Sequence, residues 1–259
     1  MEVLKNSVAE RDSNMKRNRI QVYLLAVEEL CSCEESVSWD RLTIWQQEKI
    51  SRCRQTKARL LCLGGQLLLQ YAAHAAGADF CGEADVSDRR CAETQVTETA
   101  TPWQFLTGEQ LLRGIPVPFP LEVTYGPQGK PHITNMPWHY NISHSEDYVV
   151  LAISDEPVGI DIQHKVPYNK NLIRRFFTVE EAEAYESLIS HKVQSVEAVK
   201  QAMDLFYTLW CRKEAYGKLR GTGLTEHVLK RNMLRDTELC FWEYQELPDY
   251  SICVCCEQQ

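Results

Sequence analysis

The chain has 259 residues, a formal net charge of −8, and charged and hydrophobic fractions of 25% and 44%. That length can bury a full core, as one large domain or two of ordinary size, and the composition is that of a soluble globular protein. The acidic balance, with a pI near 5.5, argues against general nucleic-acid affinity, because neutralising phosphates takes clustered Lys and Arg.

Residues 1–19 are polar and mixed in charge, a segment expected to fray. They lack the apolar run of a signal peptide, and no stretch of the chain approaches membrane-spanning length, so the expectation is a cytoplasmic protein. The 11 cysteines are odd in number and dispersed, which favours reduced thiols. Cys253 and Cys256 make a CxxC inside the strand-like YSICVCC with no second pair at finger spacing, so zinc is not expected.

Residues 20–27 (IQVYLLAV) read as a buried strand by their β-branched and aromatic content. From Asp40 the pattern turns helical: Leu42, Trp45, Leu60, Leu61, Leu63, Leu67 and Leu68 recur at three- and four-residue intervals, with Gly64-Gly65 as a weak point. Lys49, Arg52, Arg54, Lys57 and Arg59 lie within it, either as solvated helix charges or as a group facing a phosphate. Residues 77–100 are acidic, rich in small polar residues and poor in large apolar ones, the pattern of a long surface insertion. A short helix over 104–113 is stopped by Pro116, Pro118 and Pro120. Residues 125–131 (YGPQGKP) form a turn presenting Lys130, and a second loop carries 140–145 (YNISHS). Its hydroxyls and imidazole suit either an anion or the local backbone.

Residues 148–154 and 158–163 read as a hairpin across Asp155-Glu156-Pro157. In VGIDIQ, alternation puts Val158, Ile160 and Ile162 on one face and Gly159, Asp161 and Gln163 on the other. Asp161 is then either a solvated carboxylate on a half-exposed strand or, with Gln163, one of two oxygen donors to a hard cation such as Mg²⁺. Thr178 suits an N-cap with Glu181 at capping-box distance and Phe176 and Phe177 packed ahead of it; Glu181 is thus a cap unless it is catalytic. A long helix over 196–219 places Trp210, Glu214 and Lys218 on one stripe at four-residue intervals. That Glu–Lys spacing alone requires nothing beyond an intrahelical ion pair. Gly221-Thr222-Gly223 ends the helix, and 238–244 with 250–256 form a closing hairpin.

Five segments in order, GKP (129–131), YNISHS (140–145), VGIDIQ (158–163), RRFFTVEE (174–181) and WCRKEAYGKLRGTGL (210–224), resemble the surfactin-type 4'-phosphopantetheinyl transferases. The resemblance runs from about residue 20 to 224. It implies an α+β fold, a pseudo-dimer of two similar halves with coenzyme A in the cleft between them. The halves would be 20–157, carrying the 77–100 insertion, and 158–259, carrying the metal site.

The implied activity is transfer of 4'-phosphopantetheine from coenzyme A to a serine hydroxyl of an apo acyl or peptidyl carrier protein, releasing adenosine 3',5'-bisphosphate. The implied setting is polyketide or nonribosomal peptide synthesis, and the implied state a cytoplasmic monomer that binds no nucleic acid and no membrane. Mg²⁺ is the implied cofactor, with Mn²⁺ as an alternative. At matching positions Asp161, Gln163 and Glu214 would be metal ligands, Glu214 the general base, and Lys218 a catalytic contact to the phosphate under attack. Lys49, Arg52, Arg59, Lys130, Ser143 and His144, together with Lys218, would hold coenzyme A. The family commonly has Glu where this chain has Gln163, so a ligand charge is missing and weaker Mg²⁺ binding is expected. Two rival readings remain: a holo-acyl-carrier-protein synthase restricted to fatty-acid synthesis, and a coenzyme A- or carrier-binding protein that has lost transfer.

Overall fold

Alternating apolar residues on seven strands build two sheets that share a core. The computed structural model describes residues 20–31, 39–75, 103–189 and 195–258, so both the 1–19 segment and the 77–100 insertion lie outside the described residues. In chain order the elements are β1 (Ile20–Ala26), α1 (Glu28–Cys31), a 3-10 turn (Trp39–Arg41), α2 (Ile44–Ser51), α3 (Thr56–Ala75), β2 (Trp103–Phe105), α4 (Gly108–Arg113), β3 (Val123–Tyr125), β4 (Pro131–Ile133), β5 (His139–Ser145) and β6 (Tyr148–Ser154). There follow β7 (Gly159–His164), α5 (Asn171–Phe176), α6 (Val179–Ile189), α7 (Val196–Arg220), α8 (Glu226–Leu229), β8 (Leu239–Tyr244) and β9 (Tyr250–Glu257).

The first sheet runs β2-β1-β6-β5, the second β7-β9-β8, and β3-β4 stands as a separate pair. Val22, Leu24, Val150 and Ala152 of the first sheet pack against Ile160, Ile162, Ile252 and Val254 of the second. On the other face of the first sheet, Leu25, Val149 and Leu151 share a core with Leu61, Leu67 and Leu68 of α3. On the far face of the second, Cys255 packs with Leu209, Ala215, Tyr216 and Leu219 of α7. The result is a mixed α+β stack of helix, sheet, sheet and helix, each apolar face covered by the next layer.

Several sequence expectations change. Residues 148–154 and 158–163 are not a hairpin: β7 pairs antiparallel with β9, from Gly159↔Cys255 to His164↔Tyr250. The apolar side of β7 belongs to the core between the sheets, so the chain crosses from one sheet to the other at Pro157. The YNISHS segment is not a loop but most of β5, paired with β6 along its length. Trp103–Phe105 is a strand parallel to β1 and not the start of a helix; α4 begins only after Thr107, whose hydroxyl accepts from the Gln110 amide. Gly64-Gly65 is no weak point either. A Cβ on Gly64 would lie 3.3 Å from Leu25 and Val149 side-chain atoms, and one on Gly65 3.2 Å from Ile142, so the pair lets α3 lie close on the sheet.

The closing hairpin β8-β9 forms as expected, with Cys253, Cys255 and Cys256 buried in β9. No helix among the described residues is long and apolar enough to cross a membrane.

Candidate active site

Strand β7 and helix α7 face each other, and the site lies between them. Asp161 is 1% exposed, a position a carboxylate tolerates only when donors surround it. Its Oδ1 accepts from Lys218 Nζ at 2.6 Å and from Ser143 Oγ at 2.9 Å, and its Oδ2 from Gln163 Nε2 at 3.1 Å. Lys218 Nζ also donates to Ser143 Oγ at 2.7 Å, closing a triangle of β5, β7 and α7 side chains. Gly221, at φ 71°, ends α7 in the left-handed region just beyond Lys218.

Glu214 stands one turn before Lys218 on α7. Its carboxyl is held above the usual range by burial first and by the negative charge of Asp161 second, with Lys218 opposing. Two carboxylates from different elements therefore lie in each other's field beside one amine. His144 is pushed down, first by burial, then by the nearby Lys218, with Lys49 acting in the same direction. The imidazole thus feels Lys218 and Asp161 of the cluster and also Lys49 of α2. Lys49, Arg52 and Arg59 are exposed, Lys49 over the Trp45 ring at 5.8 Å and Arg52 loosely paired with Glu48 at 3.9 Å. Lys57 is engaged elsewhere, holding Glu146 and Asp147 in the β5–β6 turn at 2.5 and 3.3 Å.

Residues 157–255, which carry β7, α7 and β9, match the family model of the 4'-phosphopantetheinyl transferase superfamily. The chain is 41% identical over 98 residues to the 4'-phosphopantetheinyl transferase psf-1 of Bacillus pumilus, covering 38% of each chain. It is 37% identical over 98 residues to the transferase Sfp of Bacillus subtilis (strain 168), covering 38% of this chain and 40% of that one. The similarity to the 4'-phosphopantetheinyl transferase superfamily thus lies in the C-terminal part of the chain. A putative 4'-phosphopantetheinyl transferase, slr0495 of Synechocystis, is 35% identical over 140 residues, 51% of each chain. The chain thus spans about two fifths to one half of the length of these curated relatives.

Tested against the ligands expected from the sequence, Asp161, Gln163 and Glu214, the donor chemistry fits a hard divalent cation. Asp161 and Glu214 would supply carboxylate oxygens, and positive charge between them would offset the field of Asp161, which adds to burial in raising the Glu214 carboxyl. Among the described residues no group of three His, Cys, Asp or Glu side chains gathers for a metal, so a third protein donor would be the amide of Gln163. That amide now donates its N–H to Asp161 and would have to turn to present its oxygen.

Lys130 does not join the cluster. Its Nζ donates to the carbonyls of Leu219 at 3.0 Å and Val158 at 3.5 Å, tying the β3-β4 hairpin to the end of α7, and burial lowers its pKa to about 8. It lines a cleft of about 790 Å³ with Pro127, His132, Trp138, His139 and Arg220, beside the carboxylates and not over them.

Glu181 is a cap, as its spacing allowed, and more. Its Oε2 accepts from the Thr178 amide at 2.8 Å and from Lys213 Nζ at 2.9 Å, while Oε1 accepts from the Met233 amide at 2.7 Å. Lys213 also donates to the carbonyls of Leu229 and Arg231, at 3.0 and 2.7 Å. Glu181 and Lys213 are 0% and 1% exposed and brace α7 from within. Sequence reading passed over Lys213, although its position between Leu209 and Tyr216 on the buried face of α7 was a signal.

Proposed function

We propose that this chain moves 4'-phosphopantetheine from coenzyme A to a serine hydroxyl of an apo acyl or peptidyl carrier protein. The observation that carries this reading is the convergence of Asp161 from β7 with Glu214 and Lys218 from α7. Glu214, its proton affinity raised, takes the proton of the carrier serine directly or through water. The serine oxygen forms a bond to the phosphorus nearer the pantetheine, and the bond from that phosphorus to the departing adenosine 3',5'-bisphosphate breaks. Lys218 turns from Asp161 toward the phosphate under attack, while Ser143 and His144 contact the diphosphate. Lys49, Arg52 and Arg59 hold the 3'-phosphate end, with Lys130 flanking the cleft. Mg²⁺, or Mn²⁺ in its place, held by Asp161 and Glu214 with Gln163 completing the set, would neutralise the charge that builds on the 5'-phosphate of the departing adenosine 3',5'-bisphosphate.

The two sheet-and-helix layers, one under α3 and one under α7, support the pseudo-dimer reading, with 20–157 and 158–259 as its halves. A cytoplasmic monomer acting on carriers of polyketide or nonribosomal peptide synthesis fits an acidic chain with both layers in one molecule. Incubation with coenzyme A, Mg²⁺ and an apo carrier tests the activity: the carrier should gain the mass of phosphopantetheine with wild type and not with Asp161→Ala. No gain on either acyl or peptidyl carriers would overturn the reading and leave a binding protein.

A further inference from the structure

Strands β5 and β7 are edge strands of different sheets, lying side by side with no main-chain ladder between them. An edge leaves amide groups that need partners. Here side chains provide them. Asn141 Oδ1 accepts from the Ile160 amide at 3.0 Å, and Ser145 Oγ accepts from the His164 amide at 3.0 Å. Between these two, Ser143 Oγ donates to Asp161. The three β5 residues alternate along the strand, so all point to the same side, toward β7.

We propose that Asn141 and Ser145 are positioning residues that clamp β7 on either side of Asp161. Neither bonds to Asp161, Glu214 or Lys218; each holds a backbone amide one residue before or three residues after the carboxylate. The junction between the two sheets is thereby pinned at two points, and the carboxylate keeps its place against α7. A main-chain ladder would pin the strands more uniformly but would draw the two sheets into one. Two side-chain acceptors join the edges while each sheet keeps its own plane.

The kinetic part of this inference rests on the transfer reading; the structural part does not. Asn141→Ala and Ser145→Ala are each expected to lower kcat for transfer by ~10–100-fold, the usual loss when support of a ligating side chain is removed, with KM for coenzyme A within about threefold. Asn141→Asp and Ser145→Thr, which keep an acceptor oxygen, should restore most of the rate. Amide hydrogen exchange gives an independent readout. Protection at Ile160 in Asn141→Ala, and at His164 in Ser145→Ala, should fall about tenfold or more, while Val150 and Leu151 in β6 stay protected.

Unchanged kcat in both alanine variants, or failure of both acceptor-keeping variants to restore it, overturns the clamp. So does unchanged protection, or an equal loss across β6, which marks general destabilisation. If wild type transfers nothing to any carrier, the functional reading falls and exchange at Ile160 and His164 alone decides the clamp: selective loss upholds it, and its absence overturns it.

Discussion

Replacing Gly159 by Ala tests whether the spacing of β7 and α7 sets the rate. A Cβ at this position would lie 2.0 Å from the Ala215 carbonyl oxygen, 2.6 Å from the Leu219 nitrogen and 3.0 Å from the Ala215 carbonyl carbon. All three are backbone atoms of α7, so no side chain can turn aside. To bring the shortest contact out to the 3.0 Å that real Cβ atoms respect, strand and helix must part by at least about 1 Å. Asp161 lies two residues along the same strand face, and its 2.6 Å bond to Lys218 would lengthen to about 3.6 Å, beyond hydrogen-bonding range. A displacement of that size costs on the order of 100-fold in rate, and the overpacking ~1–3 kcal/mol in stability. For a domain this long that is roughly 2–4 °C in Tm per kcal/mol. Initial rates of phosphopantetheine transfer, followed by the mass of an apo carrier, and a thermal melt check both numbers. A folded Gly159→Ala protein with wild-type Tm and a rate within threefold of wild type would refute the reasoning.

Glu214→Gln should lower transfer by ~10²–10⁴-fold while raising Tm at pH 8. The folded pKa of Glu214 is raised, so the favourable contribution of its protonated form is complete below the unfolded value near 4.5 and is lost as pH rises through the folded value. The stabilisation from Gln should therefore vanish when melts are repeated below pH 4.5; a variant less stable than wild type at pH 8 would contradict this. Lys213→Met leaves Glu181 buried without its cation and should cost ~3–5 kcal/mol by urea unfolding; a loss under 1 kcal/mol would show the pair to be dispensable. The double change Lys49→Ala with Arg59→Ala, at exposed positions, should leave stability within ~0.5 kcal/mol yet raise KM for coenzyme A about tenfold with kcat little changed. An unchanged KM would remove those residues from the binding surface.

What was legible in the sequence followed from periodicity. The two-residue alternation of VGIDIQ put Asp161 on the face that meets α7, and the four-residue spacing of Glu214 and Lys218 put both on one helix stripe. Thr178 and Glu181 announced the helix start because capping is local chemistry. Long-range pairing was not legible. Val158, Ile160 and Ile162 look the same in a hairpin with β6 as in a strand that crosses to pair with β9, because either arrangement buries them. The polar residues of 140–145 concealed β5 for a related reason: Asn141, Ser143 and Ser145 sit at a sheet edge and face a second strand instead of solvent. Lys130 lay in an open-looking turn, yet the carbonyls that engage its amine belong to residues far along the chain.

The proposed function requires that Asp161 and Glu214 hold a divalent cation when coenzyme A binds. Calorimetric titration of coenzyme A, with Mg²⁺ and with a chelator, tests it in wild type and in Asp161→Asn. Binding should tighten with Mg²⁺ in wild type and lose that dependence in the variant. Equal affinity with and without Mg²⁺ in wild type, or an undiminished Mg²⁺ effect in Asp161→Asn, would contradict the account.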